Sequence, residues 1–406
     1  MYKELNYARY TSFDLLVILY FAHELLPAFG YYTPSLIFLA IFAILLLMSV
    51  RLYFGNISML FPFIFVAVLE CADCIVGVKG TSLTINVYGE LQTLLFLVIT
   101  IKYIDDTKRM ERQRLFNFIT AMYILTAITS TIGLLSFPEA SRLLALGSGT
   151  EMYATYTRMN IGSFDFVYEI VLLTPLFIGM LKTKKVNKLM GVFLVVLSGL
   201  FVINSQYTTA LLLYLMTLTL LLPIKITSRK LVIIIIIELL CALFLPDLIS
   251  NLLFTVANST GSNLVSERLT YIAEVLSGAS PTESIAVESR MIVYERALAA
   301  FRNSYGFGSW SSTGSGGHSF IFDNMGVYGY IGIFMILELL KSVFKISLKP
   351  FKNSACYGYM IWSFIMSIIL MFLNPKANIF FLGSILLLYG LVMSQREEEN
   401  ETVVAM

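Results

Sequence analysis

Histidine is nearly missing from this 406-residue chain, which has only His23 and His318. Cysteine is scarce as well, with single residues at Cys71, Cys74, Cys241 and Cys356. A structural metal needs Cys or His ligands gathered in numbers, and these are too few and too scattered. The Cys71-x-x-Cys74 spacing lies in an apolar stretch without further ligands beside it, which favours small core residues over zinc. Charged residues are only 13% of the chain, about half the usual share in soluble domains. Apolar residues are 58% and the mean hydropathy is +0.80. A soluble surface cannot be built from that composition, so the chain reads as an all-α integral membrane protein in a lipid bilayer. The net charge of +2 identifies no partner by itself.

A membrane-spanning helix needs about 20 mostly apolar residues. Twelve such runs stand out, at 11–29, 34–50, 57–76, 87–103, 117–136, 163–181, 188–203, 207–223, 231–250, 318–340, 357–373 and 378–394. The first carries Asp14, His23 and Glu24 and has no small-residue cleavage site, which is unlike a cleaved signal. No internal repeat or separate soluble domain interrupts the chain, so 1–406 reads as one polytopic domain. The 28 lysines and arginines fall unevenly between alternate loops, 20 on one side and 8 on the other. Short loops rich in positive charge stay in the cytoplasm. That rule predicts cytoplasmic termini, a solvated cytoplasmic tail from Gln395, and an external face holding three segments. These are residues 138–162, the tight corner 204–206, and a 67-residue loop over 251–317, before the third-last span.

The external segments contain the residues able to do chemistry. Arg158 stands just before a span that carries Asp165 and Glu169. Within the long loop, Arg290, Tyr294, Ala297 and Phe301 fall on one face at helical spacing, which predicts an amphipathic helix over 287–303. Arg296 and Arg302 fit cations reaching toward lipid headgroups. Arg290 is placed at the helix start, where the dipole disfavours a cation, and an anionic ligand would compensate. Glycines at 306, 308, 314, 316 and 317 follow, permitting tight turns and close approach to a ligand. A glycine-rich loop entering a helix start is also a natural anion site.

His318 is expected in the first turn of the next span. The dipole there disfavours imidazolium, which suits a neutral base for a sugar hydroxyl. The alternative is a hydrogen-bonded histidine at the membrane interface. Asp323, one turn further, is a polar group inside the membrane boundary and a functional candidate on that ground, or else a tie to a neighbouring span. Gly326, Gly329 and Gly332 recur every three residues and predict a thin face for close helix packing. His23, Glu24, Glu70, Asp73 and Glu238 read as contacts between helices.

Ser289-Arg290, Tyr294, Ala297, Phe301, Gly306-x-Gly308 and the run from Gly316 to Gly332 resemble the O-antigen ligase/polymerase superfamily. Within it they look like the bacterial polysaccharide repeat-unit polymerases (Wzy type). The resemblance implies a C-type glycosyltransferase-like membrane fold in the bacterial inner membrane, with its active face external. It implies undecaprenyl-diphosphate-linked oligosaccharides as substrates, without nucleotide sugar, cofactor, metal or nucleic acid. A flippase and a chain-length regulator would be its protein partners. Carried onto this chain, Arg290 would bind diphosphate and His318 would be the base, with Gly306, Gly308, Gly317, Ser319 and Asp323 shaping the substrate site. Where the family often shows a Ser-Arg pair at the start of a span, this chain has Ser205-Gln206. Arg158, which resembles an arginine of related polymerases, would supply the missing charge. A glycan ligase, or a glycolipid flippase or transporter, is the alternative activity.

Overall fold

The computed structural model describes residues 12–55, 95, 99, 109–145, 152–182, 188–221, 246–259, 263–277, 285–311, 314–352 and 357–374. Among them the chain is helical, with no strand. The expected spans 57–76 and 378–394 lie outside the described residues, as do nearly all of 87–103 and 231–245. The same holds for Cys71, Cys74, Glu70, Asp73 and Glu238.

The first apolar run is not one helix. It divides into α1 (Ser12–Leu25) and α2 (Pro27–Tyr32), with Leu26 extended between them. Proline lacks the amide hydrogen that a continuing helix needs but fits the first position of a new one. α3 (Ser35–Gly55) follows, and then α4 (Arg109–Ser136). Two short helices, α5 (Ala140–Ala145) and α6 (Tyr153–Arg158), lead into α7 (Phe164–Lys182), α8 (Lys188–Asn204) and α9 (Thr208–Leu221).

The segment expected as a long external loop is largely helical. It holds the end of α10 (Pro246–Ser259), α11 (Asn263–Leu276) and α12 (Ile285–Asn303), the last extending the predicted amphipathic helix by two residues at its start. α10 and α11 form a hairpin tied by the Ser250 hydroxyl, which donates to the Ala273 carbonyl at 2.7 Å. The next span is broken into α13 (Phe320–Tyr328) and α14 (Tyr330–Val343). α14 runs through a π turn at Phe344–Leu348 and a 3-10 turn at Lys349–Phe351, and α15 (Tyr357–Leu373) closes the described part.

Among the described residues two helical stretches, Asn117–Ser136 and Phe164–Lys182, are long and apolar enough to cross a membrane, and α8, α9, α15 and Ser35–Val50 are apolar but shorter. This is compatible with a helical membrane protein.

α7 is the axis of the bundle. Every residue from Phe166 to Met180 is buried, as expected of a helix that is apolar all round. It is packed by α8, α9 and α15. Ser363 of α15 donates to the Leu172 carbonyl at 2.8 Å, and Gly179 admits the Tyr359 ring. These contacts make α15 antiparallel to α7. Tyr123 stacks on Phe166, while Gly133 lies against Ile161, so α4 is antiparallel to α7 as well.

One end of the bundle therefore gathers the start of α7 and the ends of α4 and α15. The other end gathers Lys182, Lys188, the start of α4 with Arg109, Arg112 and Arg114, and the segment holding Lys345, Lys349 and Lys352 that leads to α15. Several buried hydroxyls inside the bundle bond back to their own helices, as Ser198 does to the Leu194 carbonyl and Thr174 to that of Ile170. That satisfies them where water is excluded.

Candidate functional site

α12 and α13 run parallel. Tyr294 meets Phe322 with ring centroids 5.3 Å apart, Ala297 lies beneath Gly326, and Phe301 meets Tyr330 at 5.2 Å. The face read from the sequence is thus the face that packs on α13 and on the start of α14. Arg296 and Arg302 are exposed, in keeping with the headgroup reading. Two parallel helices in sequence need a returning connection, and the described residues 304–311 and 314–319 belong to it, running back along the pair.

Glycine makes that return possible. Gly329 has φ 63° and ends α13, where sequence spacing predicted an unbroken span. A helix end leaves carbonyls without partners. Here the returning loop supplies the donors: Ser309 N–H to Gly326 O at 2.9 Å and Trp310 N–H to Val327 O at 2.9 Å. Reciprocally, Tyr330 N–H donates to Gly306 O at 2.8 Å. Backbones this close leave no room for side chains. A Cβ on Gly326 would stand 2.2 Å from the Gly314 oxygen, and one on Gly308 would stand 2.3 Å from the Val327 oxygen. Of the three spaced glycines, then, Gly326 serves close packing and Gly329 breaks the helix.

The other end of the loop forms the His318 turn. The helix begins at Phe320 with Ser319 as its N-cap, so His318 precedes the cap instead of lying in the first turn. The Ser319 hydroxyl accepts from Phe322 N–H at 3.1 Å and donates to the Met371 carbonyl at 3.3 Å. Phe320 N–H donates to the Asn374 carbonyl at 2.8 Å, which fastens the turn to the end of α15. Asp323 accepts from Gly316 N–H at 2.7 Å and Ser319 N–H at 3.2 Å. Its carboxylate thus ties the loop to the first turn of α13. Gly317 and His318 are left standing out, both exposed, and a Cβ on Gly317 would meet nothing within 4 Å.

His318, Gly317, Ser319 and Asp323 therefore share one turn. Gly306 and Gly308 do not join them. They sit at the break, about 15 Å along α13 at 1.5 Å per residue. Arg290 lies within α12, in its second turn instead of at its start. Its backbone position is one turn before Tyr294, toward the end where His318 stands.

Arg158 is exposed and belongs to another corner of the same bundle end. Its Nη2 donates to the Tyr31 hydroxyl at 2.8 Å, and its guanidinium lies 5.0 Å over the Tyr31 ring. That hydroxyl beside it raises the arginine above its usual pKa. Gln206, in the corner where an arginine was sought, adopts φ 59°.

Sequence reasoning missed what fixes the Arg158 corner. Asn160, with φ 56° and 9% exposed, donates through Nδ2 to Thr126 at 3.1 Å and Thr129 at 3.0 Å. Its Oδ1 accepts from Ala28 N–H at 3.2 Å, and its carbonyl accepts from Thr129 at 2.9 Å. Ser130 accepts from Gly162 N–H at 2.7 Å, and Ser141 donates to the Gly162 carbonyl at 2.8 Å. The visible signal was Thr126, Thr129 and Ser130 at i, i+3 and i+4 on an otherwise apolar helix.

Glu169, which the sequence places only on the span after Arg158, joins α7 to α4. It is 1% exposed, its Oε2 accepts from the Tyr123 hydroxyl, and its Oε1 is buried without a hydrogen-bond partner. Asp165 and Glu24 lie within electrostatic reach.

No family model, curated protein or solved structure matches the chain.

Proposed function

We propose that the chain is an oligosaccharide repeat-unit polymerase of the bacterial inner membrane. It would move a growing glycan from undecaprenyl diphosphate to the sugar hydroxyl of an incoming lipid-linked repeat unit. In this reading twelve helices span the bilayer, both termini are cytoplasmic, and the end of the bundle carrying His318 is external. A flippase and a chain-length regulator act beside it.

One observation carries the reading. Arg158, the backbone position of Arg290, and His318 lie at one end of the bundle, away from the lysine-rich end, with His318 held clear of it on an ordered turn. The resemblance to repeat-unit polymerases gives that arrangement its chemistry. His318 takes the proton of the acceptor hydroxyl. The hydroxyl oxygen then forms its bond to the anomeric carbon of the donor glycan as the bond to the diphosphate oxygen breaks. The electron pair leaves with undecaprenyl diphosphate, and the guanidinium groups of Arg158 and Arg290 stabilise the added charge.

Purified protein in nanodiscs, given synthetic undecaprenyl-diphosphate-linked repeat units, should release undecaprenyl diphosphate and yield products longer by whole repeats. Absence of both products from well-folded protein would overturn the reading. Single cysteines test orientation: one at Ser259 should react with an impermeant reagent in intact cells, and one at Lys188 should not.

A glycolipid flippase or transporter is favoured by one feature, the interrupted helices at Leu26–Pro27 and at Gly329, since broken helices often build transport sites. The glycan profile of a deletion strain separates the cases. Polymerase loss leaves single repeats, ligase loss leaves polymer on its lipid, and flippase loss leaves carrier unprocessed inside.

A further inference from the structure

We infer that Tyr31, Tyr32 and Arg158 form one subsite, in which Arg158 takes the diphosphate and the Tyr32 ring takes the first sugar of a lipid-linked glycan. The inference rests on the reading above that Arg158 meets diphosphate, and it assigns roles to two tyrosines outside that reading.

The geometry is that of a held platform. A free arginine side chain loses much rotamer freedom on binding. Arg158 has already lost it, fixed by the Tyr31 hydroxyl at 2.8 Å and by the ring face beneath it. One N–H is engaged, and the remaining donors of the guanidinium are left to meet phosphate oxygens. Tyr31 in turn stands edge-to-face with Tyr32, with centroids 5.3 Å apart and planes at 88°.

Tyr32 is 70% exposed, so an aromatic face stands open next to the cation. Sugar rings present a face of C–H groups that packs on aromatic rings, while a diphosphate presents paired anionic oxygens. A diphosphate-linked sugar carries both at adjoining positions. The platform is also anchored from below. Asn160 holds the Ala28 amide of α2 and, through the Thr126 and Thr129 hydroxyls, the wall of α4. Tyr31 is thus a positioning residue, and Tyr32 a sugar contact.

The test uses the full chain in nanodiscs of zwitterionic lipid, with and without phosphatidylglycerol. The probes are undecaprenyl diphosphate and undecaprenyl-diphosphate-linked repeat unit. Arg158→Ala should weaken both probes. Tyr31→Phe keeps the ring and removes the hydrogen bond. It should raise KM about tenfold, the scale of one charge-assisted bond, with kcat little changed.

Tyr32→Ala should weaken the glycosylated probe severalfold and leave undecaprenyl diphosphate unaffected, and Tyr32→Trp should restore binding. Equal affinity of wild type and Tyr32→Ala for the glycosylated probe would overturn the sugar contact and leave Tyr32 an interfacial aromatic. Loss of the Arg158 effect on adding phosphatidylglycerol would reassign the site to lipid headgroups and overturn the inference. If wild type binds both probes with these sensitivities but makes no polymer, the polymerase reading fails while the subsite stands.

Discussion

The two corners that hold the candidate groups are built by opposite means. Around His318 the backbone does the binding. Glycines let the loop and the broken helix exchange N–H and carbonyl groups directly, and polar side chains such as Ser304, Ser315, Ser319 and Asp323 add short-range bonds within the loop and turn. Around Arg158 the side chains do it, with Asn160 in the turn after α6, Thr126, Thr129 and Ser130 on α4, and Ser141 on α5. A backbone clasp is intolerant of added atoms. A side-chain staple is intolerant of lost ones. Each corner therefore fails under a different class of substitution, and that contrast can be tested.

The largest effect should come from the group that the clasp presents. His318→Gln should lower turnover by about 10²–10⁴-fold, the usual cost of losing a general base, while binding of lipid-linked substrate persists. Near-normal turnover in that variant would make the imidazole a bystander. Next comes the clasp itself. Gly326→Ala drives a Cβ into the Gly314 oxygen and the Ala297 backbone, and should destabilise by about 1–3 kcal/mol, as overpacking does. Its thermal midpoint should fall and its turnover with it. A variant as stable as wild type would show that the clasp can open without cost.

Removing atoms from the staple should cost a similar or slightly smaller amount. Asn160→Ala strips partners from Ala28 N–H and from two threonines. The cost is about 1–3 kcal/mol per buried group left unsatisfied, softened because the threonine hydroxyls lose only an accepted bond and keep those they donate, to the Leu25 and Leu125 carbonyls. Its distinguishing sign is weaker substrate binding with the His318 turn intact, readable as a rise in KM larger than the fall in kcat.

A smaller change is expected at Glu169→Gln. The amide oxygen can still accept from the Tyr123 hydroxyl, so stability should move by about 1 kcal/mol or less. A large loss of turnover with unchanged stability would instead give that carboxyl a part in the chemistry. Smallest of all is Arg296→Ala, an exposed position whose change should stay within about 0.5 kcal/mol and leave polymer length unaltered.

The sequence made some of this legible and hid the rest for physical reasons. The runs at 163–181, 188–203 and 357–373 match α7, α8 and α15 within a residue or two at either end, because an uninterrupted apolar run of that length has few other uses. The face of α12 was readable from spacing alone. The break at Gly329 was not, since glycines three apart read equally as a packing stripe; only the donors at Ser309 and Trp310 distinguish the two. The helical part of 251–276 does not stand out as such in the sequence, because its mixed polarity hides it from a search for apolar runs. Asn160 and Tyr31 escaped because their partners lie 132 and 127 positions away, at Ala28 and Arg158. No local pattern records a contact of that range.

The clasp has a consequence for the order in which the chain assembles. Its partners lie between residues 293 and 330, so the loop it must close is short and the entropy lost in closing it is small. The contacts at Met371 and Asn374 come later in the chain. The parallel helices, their break and the returning loop can thus lock together as soon as residue 330 has been made. α15 can then dock onto a turn already closed by nearby residues, adding the Ser319 and Phe320 contacts to it last.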